Sequence, residues 1–173
     1  MENQRSRISK ILLKEALIRL LEKKNINKIT VYELCSEASI NRTTFYKYYG
    51  EPQDVLNEVL SDVTSQILQR LNVETDEITR LEVILVYMSA NHEKITRLMA
   101  NISEEKMIKT IYDIPSIHEK LSKSISISTQ NEEREYMQVF LHSGSFAVVR
   151  KWLNTGCPQS PRYVAEILGK IKI

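Results

Sequence analysis

The chain has 173 residues, 42% of them hydrophobic and 27% charged, a balance that fits a globular protein and argues against disorder. Four Gly and four Pro leave little material for the turns of an all-β fold, and two cysteines, Cys35 and Cys157, are too few for a disulfide framework and fit a reducing cytosol. The net charge of +2 hides an asymmetry, because residues 1–50 carry 10 Lys and Arg against 5 Asp and Glu while residues 51–173 carry 14 against 17.

Helical signals run along almost the whole chain. From Ile8 to Leu21, the apolar residues Ile8, Ile11, Leu12, Ala16 and Leu20 recur at helical spacing. Lys23 and Lys24 suit the negative end of that helix, and Asn25 tolerates the left-handed conformation that ends one. Thr30-Val31-Tyr32-Glu33 is a capping box, with Ile29 and Leu34 at the two positions of a hydrophobic staple. A second helix therefore starts at Thr30, turns Val31, Leu34, Cys35 and Ala38 inward, and stops near Ser39. Asn41 is a preferred N-cap, so a third helix is predicted over 42–49, with Ile40 and Phe45 as its staple and Gly50 as its breaker. Pro52 suits a first helical residue. Val55, Leu56, Val59, Leu60, Val63, Ile67, Leu68 and Leu71 then mark a long amphipathic helix.

The second and third helices stand about three to four residues apart, the spacing of a helix-turn-helix. The third crowds Arg42, Thr43, Thr44, Tyr46, Lys47 and Tyr48 together, while only Phe45 and Tyr49 are needed for the core. Such a helix can enter the major groove of DNA, where Arg42 can bind guanine through two hydrogen bonds and Thr43 and Thr44 can reach bases or phosphates. Tyr46, Lys47 and Tyr48 suit phosphate oxygens, and Thr30 and Tyr32 can reach the flanking backbone or a base. The basic first third fits such a polyanionic partner. The competing reading is a polar solvent face whose aromatics pack on a neighbouring helix.

These residues carry a resemblance. Ile29-Thr30-Val31-Tyr32-Glu33-Leu34, followed by Ala38-Ser39-Ile40-Asn41-Arg42-Thr43-Thr44-Phe45-Tyr46-Lys47-Tyr48-Tyr49, resembles the DNA-binding domain of the tetracycline-repressor (TetR/AcrR) family over residues 8–60. The resemblance implies an all-α homodimer. A three-helix helix-turn-helix domain over 1–54 would bind double-stranded DNA at a palindromic operator, and a helical domain over 55–173 would dimerise and bind a small effector. It places Arg42, Thr43 and Thr44 on the recognition helix, with Asn41 at its cap among the DNA-binding residues, and Tyr46 and Tyr48 at phosphate-contacting positions. Two residues depart from the family pattern. Ser39 stands where Gly is usual, so the turn is made without glycine's freedom. Pro52 stands where many members carry a phosphate-contacting Lys, although amides at the start of that helix can still face a phosphate.

Beyond residue 72 the signals are weaker. Glu77 to Met88 reads as a helix with Ile78, Leu81, Ile84, Leu85 and Met88 on one face, and Asn91 to Met99 continues or restarts it. Ser103-Glu104-Glu105-Lys106 opens another helix, interrupted at Ile114-Pro115-Ser116, and residues 116–127 begin as a further one. Thr129-Gln130-Asn131-Glu132 is a second capping box, starting a long helix to Asn154 that Gly156-Cys157-Pro158 stops. Ser160-Pro161 begins the last helix, with Val164, Ile167, Leu168 and Ile171 at i, i+3, i+4 and i+7. An antiparallel helix pair is expected at the end of the chain.

Ser143, Gly144, Ser145 and Ala147 form a small-residue patch on the first helix of that pair, with Phe140, Val148 and Trp152 around it. The resemblance, which in FLHSGSFAVVRKWLNTGCPQSP extends to a Gram-positive branch of the family, makes these residues and Val164, Ile167, Leu168 and Ile171 a four-helix dimer interface. An intramolecular core patch fits the same periodicity. Tyr87, Met88, His92, Met99, Met107, Tyr112 and His118 form a Met- and aromatic-rich set that suits an apolar effector, or equally an ordinary core.

The three His, at 92, 118 and 142, show no metal-ligand spacing, so neither a metal nor another cofactor is expected. No Walker loop, G-x-S-x-G, H-E-x-x-H or C-x-x-C occurs, and an enzyme is not expected. MENQRSRISK is polar with no apolar stretch behind it, unlike a secretory signal. The longest apolar run, Val83 to Met88, is far short of a membrane span, so a cytoplasmic protein is expected. The expected function is a homodimeric, sequence-specific DNA-binding transcriptional regulator, a repressor relieved by a small molecule. The alternative is a co-regulator on the same fold that binds a protein and not DNA.

Overall fold

The computed structural model describes residues 4–71, 76–103, 105–106 and 131–170. Among these residues every regular element is a helix: α1 Gln4–Leu21, α2 Val31–Ala38, α3 Arg42–Phe45, α4 Pro52–Leu68, α5 Glu77–Ala90, α6 His92–Ala100, α7 Asn131–Asn154 and α8 Pro161–Lys170, with a 3-10 turn at Ile26–Lys28. None of the described helices is long and apolar enough to cross a membrane. The chain divides into two compact units, residues 1–63 and 64–173, with α4 running across the division. The expected helix start at Ser103 is in place, its hydroxyl accepting from the Lys106 amide at 3.2 Å, while the start at Ser116 and half of the capping box at 129–132 lie outside the described residues.

In the first unit α1 packs on α2. The core face of α1 is Leu13, Ala16, Leu17, Leu20 and Leu21. Ile8, Ile11 and Leu12, expected on that face, are exposed. Two apolar stripes at helical spacing overlap on α1, and only the one that includes Leu13, Leu17 and Leu20 is buried. Asn25 does not close α1 in a left-handed conformation. It is extended and caps the 3-10 turn instead, its side chain accepting from the Asn27 amide at 3.1 Å.

The Thr30 capping box is formed in full. The Thr30 hydroxyl accepts from the Glu33 amide at 3.2 Å, and the Glu33 carboxylate accepts from the Thr30 amide at 2.9 Å. A hydrogen bond and charge from Lys24, with the Thr30 donors, hold the Glu33 carboxyl down to about 2. Helix α2 ends with Ser39 at φ 55, ψ 38, and the Ile40 amide reaches back to the Cys35 carbonyl at 2.9 Å. Ser39, expected from the resemblance to stand in place of a glycine, is therefore left-handed and bears the steric cost of its Cβ. Ser39→Gly is expected to raise stability by about 0.5–1 kcal/mol, the relief of the left-handed penalty less glycine's greater unfolded-state entropy. Urea denaturation checks this. A midpoint that stays put or falls would mean that the Ser39 side chain makes a stabilising contact.

Helix α3 is shorter than expected. The regular helix spans Arg42–Phe45, and residues 46–48 form turns in which the Tyr48 and Tyr49 amides bond the Phe45 carbonyl at 2.9 and 3.0 Å. Pro52 does begin α4. The Asp54 carboxylate accepts from the Gly50 and Glu51 amides at 2.8 and 3.1 Å. The expected phosphate-facing amides at this helix start thus meet the chain's own anion, and Pro52 itself has no N–H to offer.

In the second unit Asp76 caps α5, accepting from the Thr79 amide at 3.0 Å. Asn91 breaks the run, so α6 is a restart rather than a continuation. Gly156 at φ 78 and Cys157 at φ 56 close α7, and the Trp152 indole donates to the Gln159 carbonyl at 3.0 Å across the turn. The last two helices do not form the expected pair. Helix α8 takes its packing from α5 and α7 packs on α6. The reason lies in α8 itself. Gly169 lets it approach Ile78, whose Cγ1 would stand 3.3 Å from a Cβ at that position. Arg162 pairs with Glu82 at 3.0 Å.

Candidate nucleic-acid interface

Helix α3 is presented by its two neighbours. Asn41 accepts from the Thr43 amide at 2.9 Å and starts the helix, and Phe45, fully buried, fastens it to the core. Phe45 meets the Tyr46 ring edge-on at 5.5 Å and the tilted Tyr49 ring at 5.7 Å. With one side chain taken inward, Arg42, Thr43, Tyr46 and Lys47 are left exposed and Thr44 half-buried. Tyr32, on the first turn of α2, is 70% exposed and Tyr46 60%.

The ion pairs sort the basic charge of this unit. Arg19 is paired with Glu37, Lys24 with Glu33, Lys10 with Glu58, and Lys14 with both Glu58 and Asp62. Among the described residues no carboxylate lies within ion-pair distance of Arg42 or Lys47. Two cations thus stand exposed on and just after the helix whose N-terminal side chains would enter a groove. Such an array can offer donors to phosphate oxygens and base edges and withholds carboxylates from them.

Two of the expected contact residues have intramolecular partners. The Thr30 hydroxyl donates to Glu33 Oε2 at 2.9 Å, which leaves it only acceptor capacity. Tyr48 is half-buried, and its hydroxyl shares a 2.7 Å hydrogen bond with the Ser6 hydroxyl on α1.

The sequence did not single out the polar cluster behind the helix. The Tyr49 hydroxyl donates to Glu58 Oε2 at 2.8 Å. Lys10 and Lys14 each stand 3.4 Å from the same carboxylate, and the Lys10 ammonium lies 5.9 Å from the centres of both the Tyr48 and Tyr49 rings. Burial pushes the Glu58 carboxyl up, but the Tyr49 hydrogen bond and the two ammonium groups outweigh it and hold it below the usual range. The available signal was weak: Lys10, Lys14, Glu58 and Asp62 repeat at i, i+4 on two separate helices, a pattern common on solvent-facing surfaces.

In the second unit Tyr87 and Met88 are half-buried, Met99 is buried and His92 is exposed. Tyr87 lies beneath the Arg70 guanidinium at 5.1 Å. Met107, Tyr112 and His118 lie outside the described residues. His142 is held down to about 4 by burial. Among the described residues no group of three His, Cys, Asp or Glu is placed to hold a metal ion.

The residues expected to pair two copies separate into two sets. Phe140 and Ala147 are exposed on α7, with Ser143 and Gly144 half-buried beside them, and a Cβ on Gly144 would meet nothing within 4 Å. Trp152 and Val164 are buried within this chain, Val148, Ile167 and Leu168 are half-buried, and Ile171 lies outside the described residues. Tyr136 and Val139, not singled out in the sequence, extend the exposed set at 78% and 58% exposure. Val139 and Phe140 stand at i+3 and i+4 from Tyr136, and that spacing was the signal that puts both beside it on the helix surface.

Comparison with known proteins agrees with this architecture. Residues 75–172 match the TetR-type family model described as "Transcriptional regulator C-terminal region". A curated relative, the uncharacterized HTH-type transcriptional regulator YxbF of Bacillus subtilis (strain 168), is 20% identical over 163 residues, 89% of this chain. The chain spans only 42% of that relative's length. Among solved structures, a TetR transcriptional regulator from Streptococcus agalactiae 2603V superposes with TM-score 0.78 at 18% identity, covering 98% of this chain and 97% of the other. The fatty acid degradation regulator FadR from Bacillus halodurans superposes with TM-score 0.64 at 14% identity, covering 92% and 95%. At these identities the superpositions speak for the fold.

Proposed function

Because the chain belongs to the TetR family of transcriptional regulators, we propose that it is a homodimeric repressor of the cytoplasm that binds a palindromic operator in double-stranded DNA and is released by a small-molecule effector. The observation that carries the DNA-binding part is the exposed set Arg42, Thr43, Tyr46 and Lys47 on and just after a capped helix in helix-turn-helix order. Arg42 and Thr43 are the base readers. Tyr32, Tyr46 and Lys47 hold the phosphate backbone. Asn41 sets the helix start, and Thr30, Thr44 and Tyr48 contribute through the packing beside it. These contacts fall within residues 1–54, and residues 55–173 dimerise and take the effector.

The exposed face of α7, with Tyr136, Val139, Phe140, Ser143 and Ala147, is the favoured centre of the dimer contact. Twofold symmetry then matches two recognition helices to two half-sites one or more helical turns apart. The effector region includes Tyr87, Met88 and Met99 in the second unit. The Met and aromatic side chains of this set support an apolar effector class. An effector releases DNA only through unequal affinity for the bound and free conformations, and α4, common to both units, is the element through which that difference can act.

The test is selection of genomic fragments by the purified protein near physiological salt. A shared palindrome is the expected result. Absence of enrichment at both that salt and low salt, with co-purification of a protein, would favour the co-regulator reading. Once a site is known, Arg42→Ala is expected to cost about 1–3 kcal/mol on it and to relax preference at one base pair. Unchanged preference would remove Arg42 from base reading. Lys47→Ala should weaken all sequences alike and reduce the salt slope by about 1. A changed base preference with the slope intact would overturn its phosphate role.

A further inference from the structure

We infer that Glu58 is a positioning residue that sets the sequence specificity of the recognition helix, by holding the turn behind it and by masking two lysines from non-specific DNA. This rests on the DNA-binding reading above.

The helix itself spans four residues, one helical turn, too short to hold a direction alone. Its direction comes from Phe45 inside and from the turn that follows. Tyr49 closes that turn, 5% exposed, and its hydroxyl has a defined partner in Glu58 at 2.8 Å. A buried phenol without such a partner is costly, so the bond fixes where the ring sits. Glu58 lies on α4, six residues or about one and two-thirds turns beyond Pro52, so the contact joins the end of the recognition turn to the body of the next helix. The adjacent Tyr48 is joined to α1 through Ser6, and the Lys10 ammonium lies near both rings. Glu58 is thus the carboxylate at which the recognition turn, α1 and α4 meet.

The same carboxylate accounts for two of the ten cations of the basic first third. Lys10 and Lys14 are held 3.4 Å from it, and Asp62 takes Lys14 further at 2.6 Å. Phosphate attraction is indifferent to sequence, so each cation withheld from DNA lowers non-specific affinity without touching base readout. Glu58 therefore acts on both sides of the specificity ratio.

The experiment uses the full chain, the selected operator and an unrelated duplex of equal length, with affinities measured across a salt series. The variants are Glu58→Gln, Tyr49→Phe and the two together, each first checked for folding by circular dichroism and thermal denaturation. With Glu58→Gln, operator affinity should fall while affinity for the unrelated duplex holds or rises. The ratio should drop at least about tenfold, and the salt slope should steepen by about 1 as Lys10 loses its Glu58 partner, while Lys14 stays paired with Asp62. Tyr49→Phe should lower the ratio by about threefold with the slope unchanged, because it removes one neutral hydrogen-bond donor and no charge. The double variant should fall below Glu58→Gln, because the amide carbonyl that Glu58→Gln introduces can still accept from the Tyr49 hydroxyl, which Tyr49→Phe removes.

Equal loss on both duplexes, or an unchanged ratio and slope in folded Glu58→Gln, would overturn the proposal. If Glu58→Gln does not fold, an unchanged ratio in Tyr49→Phe would overturn it by itself. If the unmodified protein binds no duplex, the DNA-binding reading fails first and this proposal with it, an outcome distinct from a variant that binds like the parent.

Discussion

Phe45→Ala is expected to cost about 3–5 kcal/mol and to abolish sequence-specific DNA binding. Among the described residues Phe45 is the largest of the fully buried side chains, and it is the inward residue of a helix of only four. Truncation removes the buried ring and leaves a cavity between α3 and the Tyr49 ring, which stands 5.7 Å away. A domain of ordinary stability has roughly 5–15 kcal/mol in total, so the loss is a large share of it. Binding should fall even where the rest of the unit survives, because α3 has no other side chain in the core to set its angle. Phe45→Leu keeps most of the apolar volume and should cost much less. Denaturant titration of the full chain, together with operator binding well below the transition, checks both effects. An alanine variant within twofold of the parent in stability and affinity would show that the helix is held by something other than Phe45.

Phe140→Glu is expected to raise the dimer dissociation constant at least about a hundredfold. Burying a side chain of this size contributes about 1.5–3 kcal/mol, and a twofold axis counts the change once in each copy. A carboxylate placed in an apolar contact adds a desolvation cost of about 1–3 kcal/mol even on the mildest scales. About 2.7 kcal/mol already corresponds to a hundredfold change. The isolated chain should keep its fold, because the Phe140 side chain is 64% exposed within it. Sedimentation equilibrium reads the dissociation constant directly, and far-ultraviolet circular dichroism confirms the helices. A dimer of unaltered strength would move the contact away from the Tyr136–Val139–Phe140 face. A variant that dissociates should also lose affinity for a palindrome far more than for a half-site, since the second recognition helix is no longer tethered.

The helix-turn-helix was legible because its signals are local. Thr30 and Glu33 satisfy each other within one turn, and the Asn41 cap needs only the Thr43 amide two residues on. Ser160 caps α8 in the same way, accepting from the Tyr163 amide at 3.2 Å. The reading weakened wherever two faces of a helix were both apolar. On α1, Ile8, Ile11 and Leu12 matched helical spacing as well as Leu13, Leu17 and Leu20 do, and periodicity has no preference between such stripes. On α7, Trp152 and Phe140 looked alike as apolar neighbours of a small-residue patch, yet one is buried in this chain and the other is exposed.

What the sequence determined by itself was the order and kind of the elements and the chemistry offered by α3. Caps, breakers and charge act over one to four residues, so their energetics are written in consecutive letters. Tertiary structure decided which stripe of α1 faces inward and that α8 packs on α5. It also decided that Tyr49, Glu58, Lys10 and Lys14 meet. Those outcomes depend on which groups from distant segments exclude water together. The hydrophobic effect and a shared carboxylate act between surfaces in space, and neither is encoded in any single helical repeat.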